Sequence, residues 1–424
     1  MVAVPMPSSI ATDRNRRSAV RLGRRSSFWL LAGTLCLLLF ASSAPSPLYV
    51  VYQTEWTFST ITLTSVFAVY ALALLASLVI AGSVSDHVGR RPTLLFALVI
   101  ELVGMLLFAE ARGVGWLFAA RIVQGVATGI AMGTISASLI DLEPDDRPRL
   151  GATLGVAAPL AGLALGALAA GLLVEYGPDP TRLIFWLLTG AFALAIGVAA
   201  AVPETVHRAG PWAHSLRPRL SIPPAVRGDF LRAIPCLIAT WALGGLILSL
   251  GPSVTAGVLG QTSHVIGALP IFIMAGVSAF ASVRLREAHP KATAQGGLTA
   301  LTLGVALALV AIADHSTALF LVATAVVGLG FGPAFGGAFR ALSSQAPVDE
   351  RAGLVSSILA VAYLAFSLPA VAAGAAVTPL GLRETTEIYA VALIVVALVA
   401  LVLSRRLQGP APTAATPADP APAA

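Results

Sequence analysis

Long apolar runs recur twelve times along this chain, and they limit the possible fold more than any other feature of the sequence. A helix needs about 20 apolar residues to cross the roughly 30 Å hydrocarbon core of a bilayer. The chain is 57% hydrophobic and only 11% charged, whereas soluble domains are about a quarter charged. We therefore predict an all-α integral membrane protein. The predicted spans are 28–50, 60–83, 92–110, 115–140, 150–172, 183–203, 231–254, 263–284, 295–313, 317–339, 354–377 and 386–404.

Polar segments divide the chain into five predicted parts. Residues 1–27 form a basic N-tail, 28–203 a first six-helix bundle, 204–230 a polar linker, 231–404 a second six-helix bundle, and 405–424 a Pro/Ala-rich tail that we expect to be disordered. The basic and then apolar start is similar to a secretory or twin-arginine signal. The many later apolar runs favour an uncleaved first span instead.

Basic residues lie almost entirely on one predicted side of the membrane. Of the 26 Lys and Arg residues, only Arg112, Arg182 and Arg383 fall in loops on the side opposite the N-terminus. Loops rich in Lys and Arg stay in the cytoplasm, so both termini are predicted to be cytoplasmic. Heavy use of Ala and Arg favours a bacterial source and hence the inner membrane. The charges sit in separate short loops, a pattern that does not predict nucleic-acid binding.

Glycines spaced four residues apart mark corresponding positions in the two halves. Span four and span ten each carry three of them, offset by 203 residues: Gly125, Gly129, Gly133, Gly328, Gly332 and Gly336. Such ridges let another helix approach closely. We therefore predict two pseudo-symmetric halves, an arrangement in which substrate binds between the halves near the membrane midplane.

A short polar segment, GSVSDHVGRRP at 82–92, separates spans two and three. Its pattern Gly82-x-x-x-Asp86-x-x-Gly89-Arg90-Arg91 resembles the signature loop of the major facilitator superfamily, which lies between the same two spans. RIVQG at 121–125 resembles the signature in span four of proton-coupled members, and VPET at 202–205 resembles the usual end of span six. The resemblance covers residues 28–406 and is to twelve-span members similar to the drug:proton antiporters.

The resemblance implies a conformational latch at the cytoplasmic end of the first half. Asp86 would contact the start of span eleven, and Arg90 would link Asp86 to Asp141 at the end of span four. This contact would keep the cytoplasmic side closed in the outward-open state. His87 replaces the family's usual basic residue, and its charge can vary near neutral pH. The predicted latch residues are Gly82, Asp86, Gly89, Arg90, Arg91 and Asp141.

Two charged residues lie well inside the predicted spans, Glu101 in span three and Arg121 in span four. Either would be costly against lipid, so both should face protein or water. A rise of about 1.5 Å per residue puts them at similar depth, within reach of each other. We predict that they couple transport to protons, because a buried carboxylate near a cation can take up and release a proton. A structural pair that only fixes helix packing is the alternative.

Span one contains Pro45 and Pro47, which we expect to kink the helix and free backbone acceptors. Polar and aromatic side chains near this kink and on other spans are predicted to line the substrate cavity. They are Ser43, Ser46, Tyr49, Tyr70, Gln124, Trp241 and Tyr363.

Together these features favour a secondary active transporter that exports small amphipathic compounds against protons and acts as a monomer in membrane lipid. The sequence has no G-x-x-x-x-G-K-[ST] phosphate loop, so ATP drive within the chain is not expected. No cofactor or metal is expected either. Scattered histidines and the lack of a Ser/His/Asp set argue against an enzyme. Uptake of a sugar or an organic acid, and a membrane sensor that does not transport, remain open alternatives.

Overall fold

The computed structural model describes residues 22–82, 84–147, 149–206, 220–347 and 350–405. Within these ranges the regular secondary structure is helical, and twelve helical segments are long and apolar enough to cross a membrane. The prediction of an all-α, twelve-span protein is confirmed. Most of the predicted N-tail, the middle of the predicted linker and nearly all of the predicted C-terminal tail lie outside the described residues.

In the first half, span one consists of two helices, and a short helix follows span two. The helices are α1 (Arg24–Ser43), α2 (Pro45–Trp56), α3 (Thr60–Ala81), α4 (Val84–Val88), α5 (Arg90–Ala109), α6 (Val114–Asp141), α7 (Leu150–Tyr176) and α8 (Leu183–Ala201).

In the second half, each span is one helix. They are α9 (Arg227–Gly257), α10 (His264–Arg284), α11 (Pro290–Ala313), α12 (Thr317–Ser343), α13 (Arg351–Leu380) and α14 (Leu382–Ser404).

Both halves begin earlier than the apolar runs indicate. Helix α1 starts at Arg24 and α9 at Arg227, so each precedes its predicted bundle boundary, at 28 and 231, by four residues. The extra turns carry arginines, which hydropathy excludes from a span although a helix continues through them into the polar interface. The last residues of the predicted linker, from Arg227 onward, are therefore helical.

Four of the six glycines in the predicted ridges lie in close helix contacts, whereas a Cβ on Gly133 would have its nearest neighbour at 3.9 Å and one on Gly336 would meet nothing within 4 Å. A Cβ added to Gly125 of α6 would lie 2.9 Å from the Cβ of Ala73 in α3, and one added to Gly328 of α12 would lie 2.9 Å from the Cβ of Val277 in α10. Ala73 and Val277 are separated by nearly the same offset as the two glycines. The α3–α6 and α10–α12 pairs thus repeat one packing, and the prediction of two pseudo-symmetric six-helix bundles is confirmed.

The halves meet mainly through two helix pairs, α7 with α10 and α3 with α13. Outside these contacts the surface carries large exposed apolar side chains, for example Leu194, Leu303 and Phe96. So much exposed apolar area suits contact with lipid rather than water.

Candidate functional site

Arg121 in α6 is the largest of the completely buried side chains in the described structure. Its Nε donates a hydrogen bond to the Tyr49 hydroxyl at 2.6 Å. Its Nη1 donates to the carbonyl oxygen of Ser42 at 2.9 Å and to Oε1 of Gln124 at 2.7 Å. All three acceptors are neutral, so the guanidinium is held by polar groups of α1, α2 and α6 and not by a direct counter-charge.

Gln124 connects this arginine to the buried acid. Its Nε2 donates to Oε1 of Glu101 at 3.3 Å, while the hydroxyl of Thr128 donates to Oε2 of Glu101 at 3.3 Å. Glu101, Gln124 and Thr128 are all fully buried. Glu101 and Arg121 therefore lie at similar depth, as the sequence indicated, but the described structure joins them through Gln124 and not by an ion pair. We call Glu101, Arg121, Gln124 and Thr128 the charged core.

The proline pair in span one explains how this core is anchored. Pro45 has no N–H, so the carbonyl of Ala41, four residues earlier, receives no hydrogen bond from the helix. Gln124 Nε2 donates to that carbonyl at 3.1 Å. The prediction that the prolines free backbone acceptors is confirmed at Ala41. Helix α1 ends at Ser43 and α2 begins at Pro45, while Ala44 between them keeps helical backbone angles.

Aromatic rings surround the guanidinium on several sides. Its central carbon lies 5.1 Å from the ring centroid of Tyr70, 5.5 Å from that of Tyr49 and 5.7 Å from that of Phe108. Cation–π contacts of this kind help to stabilise a desolvated cation. The Nη2 atom of Arg121 is buried without a hydrogen-bond acceptor among the described residues, so the cation keeps unused donor capacity.

Trp241 of α9 belongs to an aromatic cluster on the second half. Its ring centroid lies 4.8 Å from that of Tyr363, 5.3 Å from that of Phe335 and 5.9 Å from that of Phe366. Phe366 in turn lies 4.9 Å from Phe67 of α3, so the cluster reaches the boundary between the halves. We call Trp241, Phe335, Tyr363 and Phe366 the aromatic cluster.

Two serines predicted for the cavity are buried between helices. The Ser43 hydroxyl donates to the carbonyl of Phe40 in its own helix, and a Cβ on Gly166 of α7 would meet its Oγ at 2.5 Å. Ser46 is also buried, and its hydroxyl has no partner in the described structure. A substrate-binding role for either residue stays a prediction.

The latch residues converge at one end of the first half, which we call the latch end. Arg90 forms an ion pair with Asp86, and its Nε lies 3.3 Å from Oδ2 of Asp141. Its Nη1 also donates to the Ser85 hydroxyl at 2.7 Å. Gly82 ends α3 and lies against α6, where a Cβ on Gly133 would be 3.9 Å from its Cα. The structure thus brings the predicted latch residues together.

Glu204 completes this cluster, and the sequence analysis assigned it no role. Its Oε1 accepts from the backbone N–H of Arg90 at 2.8 Å and its Oε2 from that of Arg91 at 3.1 Å, so it caps the start of α5. Gly89 has φ of +113°, and a Cβ there would lie 2.7 Å from Oε2 of Glu204. Thr205 donates to Asp141 at 3.0 Å. The available signal was VPET itself, an acid placed directly after span six.

One predicted contact is not observed. In the part of the chain that the structure describes, Asp86 has its ion pair with Arg90 but no hydrogen bond or ion pair to α13, the helix of span eleven. Half of the Asp86 side chain is exposed. Among the described residues, Arg90 thus joins Asp86 and Asp141 within the first half, and no hydrogen bond or ion pair links Asp86 to the second half.

The fold and its two polar clusters define a polytopic membrane protein built from two related six-helix bundles. The chain belongs to the major facilitator superfamily, whose family model matches residues 29–286.

Among curated relatives, an MFS-type transporter of Aspergillus terreus is 32% identical over 154 residues, which are 33% of this chain and 27% of the relative. Multidrug transporter MdfA of Yersinia pestis is 29% identical over 208 residues, covering 45% of this chain and 47% of MdfA. The chain thus spans between about a quarter and a half of these relatives. A solved POT family transporter in complex with a thioalcohol-conjugated peptide superposes with a TM-score of 0.72 at 14% identity, covering 90% of this chain and 96% of that one. At that identity the likeness shows the fold alone.

Proposed function

We propose that the protein is a secondary active transporter that exports small amphipathic compounds across the cytoplasmic membrane in exchange for protons. The observation that carries the proposal is the charged core. It places a fully buried carboxylate one glutamine away from a fully buried arginine. A structural pair would gain most from direct contact, whereas a bridged pair leaves the acid free to change its protonation state.

Glu101 is the proposed proton carrier, because Arg121 cannot release its proton at usable pH. Both hydrogen bonds to Glu101 come from neutral donors, Gln124 and Thr128. A hydroxyl can reverse its direction, so Thr128 can accept from a protonated Glu101 without any helix movement. Movement of Gln124 or Arg121 on cargo binding would change the charge that Glu101 experiences and would thereby couple the two events.

The aromatic cluster is the proposed apolar surface that binds the transported compound, which we call the cargo. Trp241 is partly exposed and packs against Phe366, which contacts Phe67 of the first half. Large aromatic faces contribute apolar contact area and attract cations. The planar ring of an amphipathic compound would pack against the aromatic cluster, and its polar groups would contact polar side chains of the first half. The similarity to Multidrug transporter MdfA supports this cargo class.

We further propose that the latch end faces the cytoplasm of a bacterial cell, because nearly all basic residues lie in loops on that side. The latch would then stabilise the state in which the cytoplasmic side is closed. The predicted division into bundles at 28–203 and 231–404, joined by a linker over 204–230, fits this mechanism as two bodies that rock about a central site.

Flux in proteoliposomes tests the proposal. The purified protein is reconstituted, and the uptake of ethidium, tetraphenylphosphonium and a neutral aromatic dye is measured with and without an imposed pH difference. Accumulation that depends on the pH difference and needs Glu101 supports proton exchange. Transport of a sugar or an organic acid together with protons would favour the uptake alternative, and no flux for any compound would favour a sensor.

A further inference from the structure

Two close contacts between the halves lie at the end opposite the latch, which we call the far end. In α7, a Cβ added to Gly171 would lie 3.0 Å from the carbonyl oxygen of His264, the first residue of α10. In α13, a Cβ added to Gly374 would lie 3.0 Å from the carbonyl oxygen of Thr60, the first residue of α3. The two glycines are 203 residues apart and the two carbonyls 204, so these contacts occupy equivalent positions of the repeat.

Only one of the two equivalent contacts carries an acidic side chain across the interface in the described structure. One turn beyond Gly171, Oε2 of Glu175 accepts from the backbone N–H of His264 at 2.7 Å and lies 3.3 Å from its Nδ1. The residue equivalent to Glu175 at the other interface is Thr378, and Thr60 stands in place of His264. Glu175 therefore occurs at only one of the two equivalent interfaces, so the repeated fold does not by itself require an acid there.

The pair also joins the last turn of α7 to the first turn of α10, two helices that pack side by side. Glu175 lies in the last turn of α7, and the N–H that it accepts belongs to the first turn of α10, where helix dipoles favour a negative charge. Ser263 caps the same helix through Ile266, so Glu175 satisfies a further N–H that the local cap leaves unpaired.

We propose that Glu175 is a far-end lock, which holds α7 of the first half to the start of α10 in the second and so stabilises the conformation closed at that end. The inference rests on the proposed alternating-access function. Opening the far end must separate these helices and break the charge-assisted hydrogen bond. The lock opposes the latch: the latch favours closure at the Asp86 end, and Glu175 favours closure at the other end.

Removing the lock should shift the population toward the state open at the far end. Losing one hydrogen bond to a charged group should change the ratio of the closed to the open state at the far end about tenfold. Glu175→Ala should produce that change. Glu175→Gln keeps an oxygen that can accept from His264, so its effect should be smaller. Thr378→Ala alters the equivalent position of the other interface and should leave the ratio unchanged.

Distance measurements between paired spin labels can report both ends. The far-end pair is Asp179→Cys with Glu384→Cys, and the latch-end pair is Asp146→Cys with Glu287→Cys. Each pair has one exposed residue in each half. The chain contains only two cysteines, Cys36 and Cys236, and replacing both with serine provides the background, provided that it retains wild-type flux.

Glu175→Ala should lengthen the main far-end distance and shorten the latch-end one. Combined with Asp86→Asn, which weakens the opposing latch, it should return both distributions toward those of the parent. A purely structural residue would not give this mutual compensation. If the parent switches between two distances at each end while Glu175→Ala leaves both distributions unchanged, the lock is refuted but alternating access stands. If the parent shows one distance at each end with every cargo and pH tested, the proposed function fails and the lock with it.

Discussion

Replacing the buried acid with its amide, Glu101→Gln, separates proton coupling from structural support. The amide oxygen can still accept from Gln124, and its NH₂ can donate to Thr128 if that hydroxyl turns to accept. The number of hydrogen bonds is kept, and only their charge assistance is lost. This loss should lower the free energy of unfolding by about 1–2 kcal/mol. We therefore expect the variant to fold and insert.

The effect on transport should be much larger than the effect on folding. One proton exchanged per cargo molecule makes a pH difference of one unit worth about 1.4 kcal/mol, which sustains about a tenfold cargo gradient. With no titrating acid in the core, Glu101→Gln should give a final gradient near one, while exchange of labelled for unlabelled cargo continues.

The assay follows cargo in proteoliposomes under a fixed pH difference and, separately, under equal pH with cargo on both sides. Glu110→Gln is the matched control. Glu110 follows the last residue of the same helix, is nearly half exposed and pairs weakly with Arg112. A full tenfold gradient in Glu101→Gln would refute the role of Glu101. Loss of folding in that variant, with normal Glu110→Gln, would mark the charged core as structural.

Three further outcomes are expected. Glu204→Gln should weaken the cap on α5 and the latch, raising the fraction open at the latch end severalfold; unchanged spin-label distances there would contradict this. Gly166→Ala places a Cβ 2.7 Å from the carbonyl carbon of Phe40. Thermal unfolding in detergent should therefore show that the free energy of unfolding falls by about 1–3 kcal/mol. Gly155→Ala in the same helix meets nothing within 4 Å and should not destabilise the protein; equal losses would contradict the packing argument. Trp241→Ala should weaken binding of a planar aromatic cation at least fivefold while Trp241→Phe retains most of it, and equal affinities would exclude the aromatic cluster from the site.

The spans and their pseudo-symmetry could be predicted because both depend on local composition. A run of about 20 apolar residues has few alternatives to a membrane helix, and the Gly125 and Gly328 ridges keep their spacing whatever surrounds them. The free carbonyl of Ala41 was predictable for the same reason, since a missing N–H is a property of one residue, Pro45.

Partners across helices could not be predicted from the sequence. The rise per residue predicted that Glu101 and Arg121 lie at similar depth. Whether they touch depends on how α5 and α6 are rotated about their axes, and in the structure Gln124 lies between them. VPET placed an acid after span six but could not give Glu204 its role, because its partners are backbone N–H groups, which no residue type specifies. The contact of Asp86 with α13 was an expectation from the family resemblance, and no hydrogen bond or ion pair forms it among the described residues.

Proton movement driven by cargo alone tests the central claim most directly. Proteoliposomes holding a pH-sensitive dye are loaded with a transported cargo and diluted into cargo-free buffer at the same pH, with the membrane potential clamped. Exchange of cargo for protons predicts that the lumen acidifies as cargo leaves, and that Glu101→Gln abolishes the change. A lumen that becomes more alkaline would show cargo and protons moving together, and cargo efflux without any pH change would show transport uncoupled from protons; either result would contradict the account.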